Sequence, residues 1–385
     1  MISASLVLAV SIGACSTRPP PGLTPVASPS PRAKTVDLLV STMRRPDADP
    51  AIMFNGERTL KPRFASLTVS IPPNHVAGDI AWASTSQADP ETTFAATRAG
   101  YLEQASFTAA LRQRIRSTRR SHVLVFVHGY NTRFDEAAFR FAQIVHDSGA
   151  PVTPVLFSWS SWGSFSSYPY DRTSAAIARD GLESLLTSLV QDPAVSEVSV
   201  LAHSMGGWLA METFRQMGIR HRQISPKIGN LMLAAPDIDV DVAAEQARSF
   251  GAKPPRISLF VSRDDDALWA SRLFWGSRDR LGAIDPAKEP YKSNLARFGV
   301  NVVDLTDVSS PDSTGHGKFA QSAEVVQLIG TRLARGQNLE HGAPGPIESV
   351  GRLTEGTLNV VGTVLTAPLR IGQPPQPDPS GTATP

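Results

Sequence analysis

Val198-Ser199-Val200-Leu201-Ala202-His203-Ser204-Met205-Gly206-Gly207-Trp208-Leu209-Ala210-Met211-Glu212 is the stretch whose reading decides the fold. Its apolar start reads as a strand and its end as a helix, which leaves residues 202–206 as a sharp turn between them. That is the setting of a Gly-x-Ser-x-Gly nucleophile elbow. Small residues are needed two before and two after the serine, because the turn crowds strand and helix backbones together. Gly206 meets this need, and Ala202, the smallest residue that carries a Cβ, stands where the first glycine would be. A serine hydroxyl is a weak nucleophile at neutral pH, so Ser204 has chemical meaning only with a base beside it.

Outward from the elbow, strand-like and helix-like patterns alternate. Strands are predicted at residues 36–40, 67–71, 122–127, 154–158, 198–201, 228–234, 257–261 and 300–305. Helices are predicted at 136–146, 174–189, 206–217, 240–250, 267–274 and 318–335. Several strands are unbroken Val/Leu/Ile runs, as strands buried on both faces are. The expected fold is α/β, a mostly parallel central sheet with helices on both faces. The first two strands precede any strong helix, so an antiparallel N-terminal edge is expected.

His128-Gly129-Tyr130-Asn131 follows the apolar run 123–127. Where such an elbow occurs, the loop after this strand supplies one backbone N–H of an oxyanion hole, and the residue after the serine supplies the other. Tyr130 and Met205 are therefore the expected donors, each worth about 3 kcal/mol in the transition state. The chain order Ser…Asp…His places the base downstream of the acid. Of eight histidines only His316 and His341 lie beyond residue 265. His341 falls beside a Pro/Gly-rich tail, whereas His316, in Ser313-Thr314-Gly315-His316-Gly317, follows a strand and precedes a helix. His316 is the expected base.

The acid is sought in Arg263-Asp264-Asp265-Asp266, at the exit of strand 257–261. Three adjacent carboxylates ordinarily mark a solvated turn or a helix cap. One of them can still bind the second nitrogen of the histidine and fix its tautomer. Asp265 is the choice, with Asp264 as a rival and Asp237 and Asp239, after the preceding strand, as others. His203 reads as a packing residue of the elbow. His75, His122, His146 and His221 are scattered without ligand spacing, so neither a metal nor a cofactor is expected. The ring-rich stretch from Phe157 through Trp159, Trp162 and Phe165 to Tyr168 and Tyr170 either lines or covers an apolar acyl site, or caps the sheet edge.

The chain has 385 residues, 41% of them hydrophobic, and a net charge of +2, with no Lys/Arg block that would suit nucleic acid. Its one cysteine, Cys15, excludes an intramolecular disulfide and a thiolate metal cluster. Residues 2–14 form an apolar run too short to span a bilayer, like the centre of a secretory signal. Ile12-Gly13-Ala14-Cys15 resembles a lipobox, although no Lys or Arg precedes it. The expectation is a signal peptide over 1–14, lipidation of Cys15 and anchoring to a membrane of the cell envelope, with plain secretion as the alternative. A Pro-rich linker over 15–35 is expected to act as an extended spacer. One domain over 36–335 follows, and a low-complexity tail over 336–385 ends the chain.

Phe126-Val127-His128-Gly129-Tyr130-Asn131, Phe157-Ser158-Trp159, Tyr170-Asp171-Arg172, Ala202-His203-Ser204-Met205-Gly206, Ala234-Ala235-Pro236-Asp237-Ile238-Asp239 and Ser262-Arg263-Asp264-Asp265 together resemble a family of uncharacterised bacterial α/β-hydrolases. Its members are described only as esterase- or lipase-like. The resemblance covers residues 36–335, takes in Ile71-Pro72-Pro73-Asn74-His75, and implies Ser204, Asp265 and His316 as a triad. It implies little about substrate; the Ser-His-Asp set itself leads to the expectation of a small ester or acyl compound. A scaffold that keeps the fold without the activity is the rival reading, as is an amidase, thioesterase or acyltransferase using the same triad.

Overall fold

The computed structural model describes residues 18–27, 30–274, 278–334 and 347–349. Its elements run β1 (Lys34–Pro46), β2 (Phe54–Ile71), β3 (Ala95–Leu102), α1 (Gln104–Thr118), β4 (His122–Val127), α2 (Phe134–Ser148), β5 (Thr153–Ser158), α3 (Tyr168–Gln191), β6 (Glu197–His203), α4 (Met205–His221) and β7 (Ile228–Ala234). They continue through α5 (Val240–Arg248), β8 (Arg256–Val261), α6 (Asp266–Phe274), α7 (Tyr291–Arg297), β9 (Asn301–Asp304), α8 (Lys318–Gln321), α9 (Ala323–Ala334) and β10 (Ile347–Ser349). All ten strands form one sheet in the order β10-β9-β8-β7-β6-β4-β5-β1-β2-β3.

Pairing is parallel from β10 through to β1 and antiparallel in β1–β2 and β2–β3. The antiparallel N-terminal edge is thus where the sequence puts it. Alternation along the strands sorts the core into two layers. Val123, Val125 and Val127 of β4 face the layer that holds Leu111 of α1, Leu182 of α3 and Leu209 of α4. Leu124 and Phe126 face the other, with Phe141 of α2 and Ile329 of α9. The central strands are covered on both sides, which is why their sequences are nearly unbroken apolar runs.

Several expected boundaries are corrected. β2 begins at Phe54, thirteen residues before the predicted start at 67. Its first half, Asn55-Gly56-Glu57-Arg58-Thr59-Leu60-Lys61-Pro62, is polar and carries a proline. Pairing with β1 is irregular here, jumping from Thr42↔Arg63 to Arg44↔Arg58, so residues 59–62 fall outside the regular ladder where proline is tolerated. β3, α1 and α7 were not predicted. The helix expected over 318–335 is two, α8 and α9, parted at Ser322, whose side chain accepts from the Val325 N–H (3.4 Å).

The segment read as a spacer is not free of the domain where it is described. Leu23 is fully buried and its N–H donates to Ala51 O (3.2 Å), while the Val26 N–H donates to Ala96 O (2.9 Å). Proline removes donors from a segment but leaves its apolar side chains able to pack. β10 falls inside the expected C-terminal tail and pairs with β9 from Ile347↔Val302 to Ser349↔Asp304. Cys15, the predicted signal and the rest of that tail lie outside the described residues. No helix among the described residues is long and apolar enough to cross a membrane.

Candidate active site

The elbow forms as its residue sizes dictate. β6 ends at His203, α4 starts at Met205, and Ser204 between them has φ 54° and ψ −124°, a conformation that L-residues rarely adopt. Three backbone bonds hold it there. The Ser204 N–H donates to Ala234 O (2.9 Å), and Ser204 O accepts from Gly207 (2.9 Å) and Asp237 (3.2 Å). A Cβ on Gly206 would stand 2.3 Å from His128 O and 2.7 Å from Val127 O, so only glycine fits. Ala202, with its single methyl group, is completely buried.

The loop after β4 lies directly against this turn. A Cβ on Gly129 would meet His203 Nδ1 at 2.8 Å and Ser204 Cβ at 3.1 Å. His128 anchors the loop from below. Its ring stacks on Trp159 (5.1 Å, 12°), Nδ1–H donates to Gly129 O (2.8 Å), and Nε2 faces Ser158 Oγ (3.1 Å). Burial and the neighbouring Arg44 guanidinium push its pKa down to about 3, so this imidazole is neutral. Met205 is the first residue of α4, where a backbone N–H has no intrahelical partner, and Tyr130 follows Gly129 on the facing loop.

The side chains expected to be acid and base, Asp265 and His316, meet. His316 Nδ1 and Asp265 Oδ2 are 2.7 Å apart, and Asp265 is 2% exposed. The second Asp265 oxygen accepts from the Leu268 N–H (2.9 Å). The two loops are stitched together by the Asp266 N–H donating to Thr314 O (3.0 Å). Asp312 shapes the histidine loop by accepting from the Thr314 (2.9 Å) and Gly317 (2.9 Å) amides. Burial alone would lower the His316 pKa. The Asp265 carboxylate, through its charge and hydrogen bond and with Asp237 and Asp312 behind it, outweighs burial and holds the imidazole above its ordinary value.

His316 stands beside the elbow: its ring is 4.6 Å from that of His203, and His203 Nε2–H donates to His316 O (3.3 Å). No hydrogen bond joins Ser204 Oγ to His316 among the described residues; contacts of this kind are commonly long before substrate enters. His203 itself stacks on Phe319 (4.5 Å), and burial with the adjacent His316 charge sends its pKa well below the usual imidazole value. It packs the elbow, as the sequence suggested, and also supports the backbone of His316.

The rival acids have other partners. Asp264 takes both its oxygens to Lys318 Nζ (2.7 and 2.8 Å). Asp237 accepts from Tyr168 Oη (2.6 Å) and Ser271 Oγ (2.8 Å). Asp239 caps α5 by accepting from the Asp241 and Val242 amides.

Sequence reading missed the polar frame under the Tyr130 loop. Asp171, in the first turn of α3, accepts from Ser161 Oγ (2.5 Å) and from the Trp162 (2.7 Å) and Asn131 (3.2 Å) amides. Arg44, 1% exposed, donates to Ser158 Oγ (2.8 Å), Ser161 O (2.7 Å) and Thr132 O (2.7 Å), and burial lowers its pKa to about 10. An arginine four residues beyond the predicted strand 36–40 carries no signal of such a role. An acid at a helix start is the pattern that marks Asp171.

A cleft of about 350 Å³ opens beside the site, lined by Trp82, Gly129, Arg140, His203, His316 and Phe319. None of the rings of 157–170 lines it. Trp159 is in the core, and Trp162 and Phe165 are exposed. The scattered-histidine reading is corrected for His75 and His146, which the fold brings together with Asp147, a convergence that distance along the chain hides. His122 instead bonds Ser199 Oγ (2.8 Å).

The family described as alpha/beta hydrolase of unknown function (DUF900) matches residues 103–332. No curated protein matches the chain. Similar solved structures include carboxyl esterase 2 from the mycorrhizal fungus Tuber melanosporum, 12% identical, with 81% of this chain and 88% of that one covered and a TM-score of 0.40. An esterase from Rhizomucor miehei is 12% identical over 72% of this chain and 80% of its own, at a TM-score of 0.35. Brefeldin A esterase, a bacterial homologue of human hormone-sensitive lipase, is 14% identical over 81% and 79%, also at 0.35. Likenesses this distant say nothing of substrate.

Proposed function

This chain belongs to the α/β-hydrolase family of unknown function DUF900, and we propose that it is a serine hydrolase that cleaves carboxylic esters. The observation that carries the reading is the buried Asp265–His316 pair (2.7 Å) standing against a serine held at φ 54° in a strand–helix turn. Ser204 Oγ attacks the ester carbonyl while His316 Nε2 takes its proton. Asp265 keeps Nδ1 protonated, so that Nε2 is the basic nitrogen, and stabilises the imidazolium that forms. The Tyr130 and Met205 N–H groups bind the oxygen that becomes negative. The imidazolium then gives its proton to the leaving alcohol, and an acyl-enzyme remains. Water, deprotonated by His316, attacks the acyl carbon; the Ser204–acyl bond breaks as the imidazolium returns that proton to Ser204 Oγ, and the carboxylic acid leaves.

Lipidation of Cys15 and residence at a membrane of the cell envelope belong to the same proposal, supported by the apolar run 2–14 and the position of the single cysteine. The substrate is then a small ester or acyl compound of that compartment.

A fluorophosphonate probe tests the chemistry. The wild-type chain is labelled and Ser204→Ala is not; equal labelling of the two removes Ser204 as nucleophile. Nitrophenyl esters of graded chain length, run beside a peptide amide and a thioester, then set ester cleavage against the same triad used on another bond.

A further inference from the structure

Two histidines that the hydrolase reading leaves unused converge at the C-terminal end of α2. His146 and Asp147 are consecutive on its last turn, and His75 comes from the segment after β2. One ligand atom from each of His75, His146 and Asp147 lies within 4.8 Å of the other two. The cluster lies about 9 Å along α2, at 1.5 Å per residue, from Arg140, which lines the cleft beside the site, and none of its three residues lines that cleft.

Part of the arrangement is explained by an ordinary ion pair. His75 Nε2 and Asp147 Oδ1 are 2.6 Å apart, with both side chains nearly buried. The remainder is not. The His146 ring lies edge-on to His75 (5.4 Å, 70°), and its nitrogens have no hydrogen-bond partner among the described residues. Asp147 is fixed from behind: Oδ2 accepts from the Gly78 N–H (2.8 Å) and from Gln143 Nε2 (2.6 Å), which leaves Oδ1 facing the imidazoles. A ligating carboxylate oriented by outer hydrogen bonds is a recurrent property of metal centres.

We propose that His75, His146 and Asp147 bind one divalent transition-metal ion of the zinc type, which fastens the segment after β2 to the end of α2. Two imidazoles and one carboxylate are the donor set of Zn²⁺, at about 2.0–2.2 Å per bond, with water as the fourth ligand. Donors around such an ion sit roughly 3.4 Å apart when tetrahedral. Binding therefore requires the side chains to rotate from the present arrangement, in which the three atoms lie within 4.8 Å of one another. The ion takes the place of the proton that now lies between His75 Nε2 and Asp147 Oδ1; from an imidazolium that proton passes to solvent, and from a neutral ring it moves through water to Nδ1, so that His75 ligates as a neutral imidazole. Ca²⁺ and Mg²⁺ are disfavoured, since they require a shell of six or more oxygens. The Asp147 charge offsets that of Lys34, which acts on His146 from the start of β1.

The test uses the untagged full chain stripped with a chelator and titrated with Zn²⁺, then with Co²⁺. The expected result is one ion per chain, a rise in melting temperature with Zn²⁺, and the visible absorption of tetrahedral Co²⁺. His146→Gln abolishes all three while leaving the His75–Asp147 bond, and hence the folded apo-protein, in place. His75→Gln gives the same loss. Ser204→Ala binds as the wild type does, so this outcome is independent of the hydrolase reading. Absence of stoichiometric binding, retention of binding in a folded His146→Gln chain, or an equal response to Ca²⁺ overturns the proposal.

Discussion

Asp264, Asp265 and Asp266 are chemically equal along the chain and unequal in the fold. Asp265 is buried against His316, whereas Asp264 is held by Lys318 and its side chain is 54% exposed. Asp265→Asn is therefore expected to lower kcat by about 10⁴, because the amide favours the wrong imidazole tautomer. Asp264→Asn keeps kcat within a few-fold. Steady-state ester turnover separates them, and equal losses would contradict the assignment of Asp265. The pH dependence follows from the same pair. The His316 pKa is raised in the folded state, so the active, neutral imidazole appears only above its ordinary value of about 6.5. Removing the carboxylate shifts the acidic limb of kcat/KM towards lower pH in whatever activity Asp265→Asn retains. Stability runs the opposite way. A raised folded pKa contributes stability that is complete below the unfolded pKa and fades as pH rises through the folded one. Melting temperatures of wild type and His316→Gln are expected to converge as pH is raised through that window.

At the scale of elements, the elbow is legible because sterics confine it. Gly206→Ala would drive a methyl carbon to 2.3 Å from His128 O and 2.7 Å from Val127 O, backbone at the end of β4 and the start of the loop that follows it. A cost of about 1–3 kcal/mol or more is expected in urea unfolding, with activity lost in the fraction that folds. Gly100→Ala on β3, where nothing lies within 4 Å of the new methyl, is the matched control and should be nearly silent. A strongly destabilised control would mean that backbone freedom rather than this clash sets the cost. The parallel strands were legible for a related reason: burial on both faces leaves their sequences little but Val, Leu and Ile. The antiparallel extension was less so. The first half of β2 is mostly half-buried and polar, and its proline sits where pairing with β1 is irregular, so neither alternation nor propensity marks it. α1 did carry a signal, Phe107, Leu111 and Ile115 at four-residue spacing, among many arginines and polar residues. Within the site, chain order pointed to His316. Choosing Asp265 over its neighbours rested on position in a loop, and the partners of the other carboxylates, Lys318, Tyr168 and Ser271, come from distant elements that no local pattern reveals.

At the scale of the whole molecule, the question is where the domain begins. Composition made residues 15–35 a spacer, yet Arg18 reaches across to Glu136 (2.5 Å) and Asn131 O (2.7 Å), beside the Tyr130 loop, and Leu23 is buried. On the anchoring proposed for Cys15, only residues 16 and 17 would separate the lipid from this docked segment, a reach of at most roughly 10 Å from Cys15 to Arg18. The domain would then sit against the membrane, with the site near it, and not at the end of a tether. Leu23→Ala decides whether the docking holds. A leucine in a free spacer contributes nothing to folding, whereas one packed in a core costs about 2–5 kcal/mol on truncation to alanine. The expected result is a lower urea midpoint at unchanged slope, set against Leu60→Ala, 87% exposed on β2, which should shift little. Arg18→Ala should also lower ester turnover more than it lowers stability, since its contacts fall on the loop that supplies the Tyr130 N–H. A Leu23→Ala chain as stable as the wild type would return residues 18–27 to the status of a linker and place the start of the domain at β1.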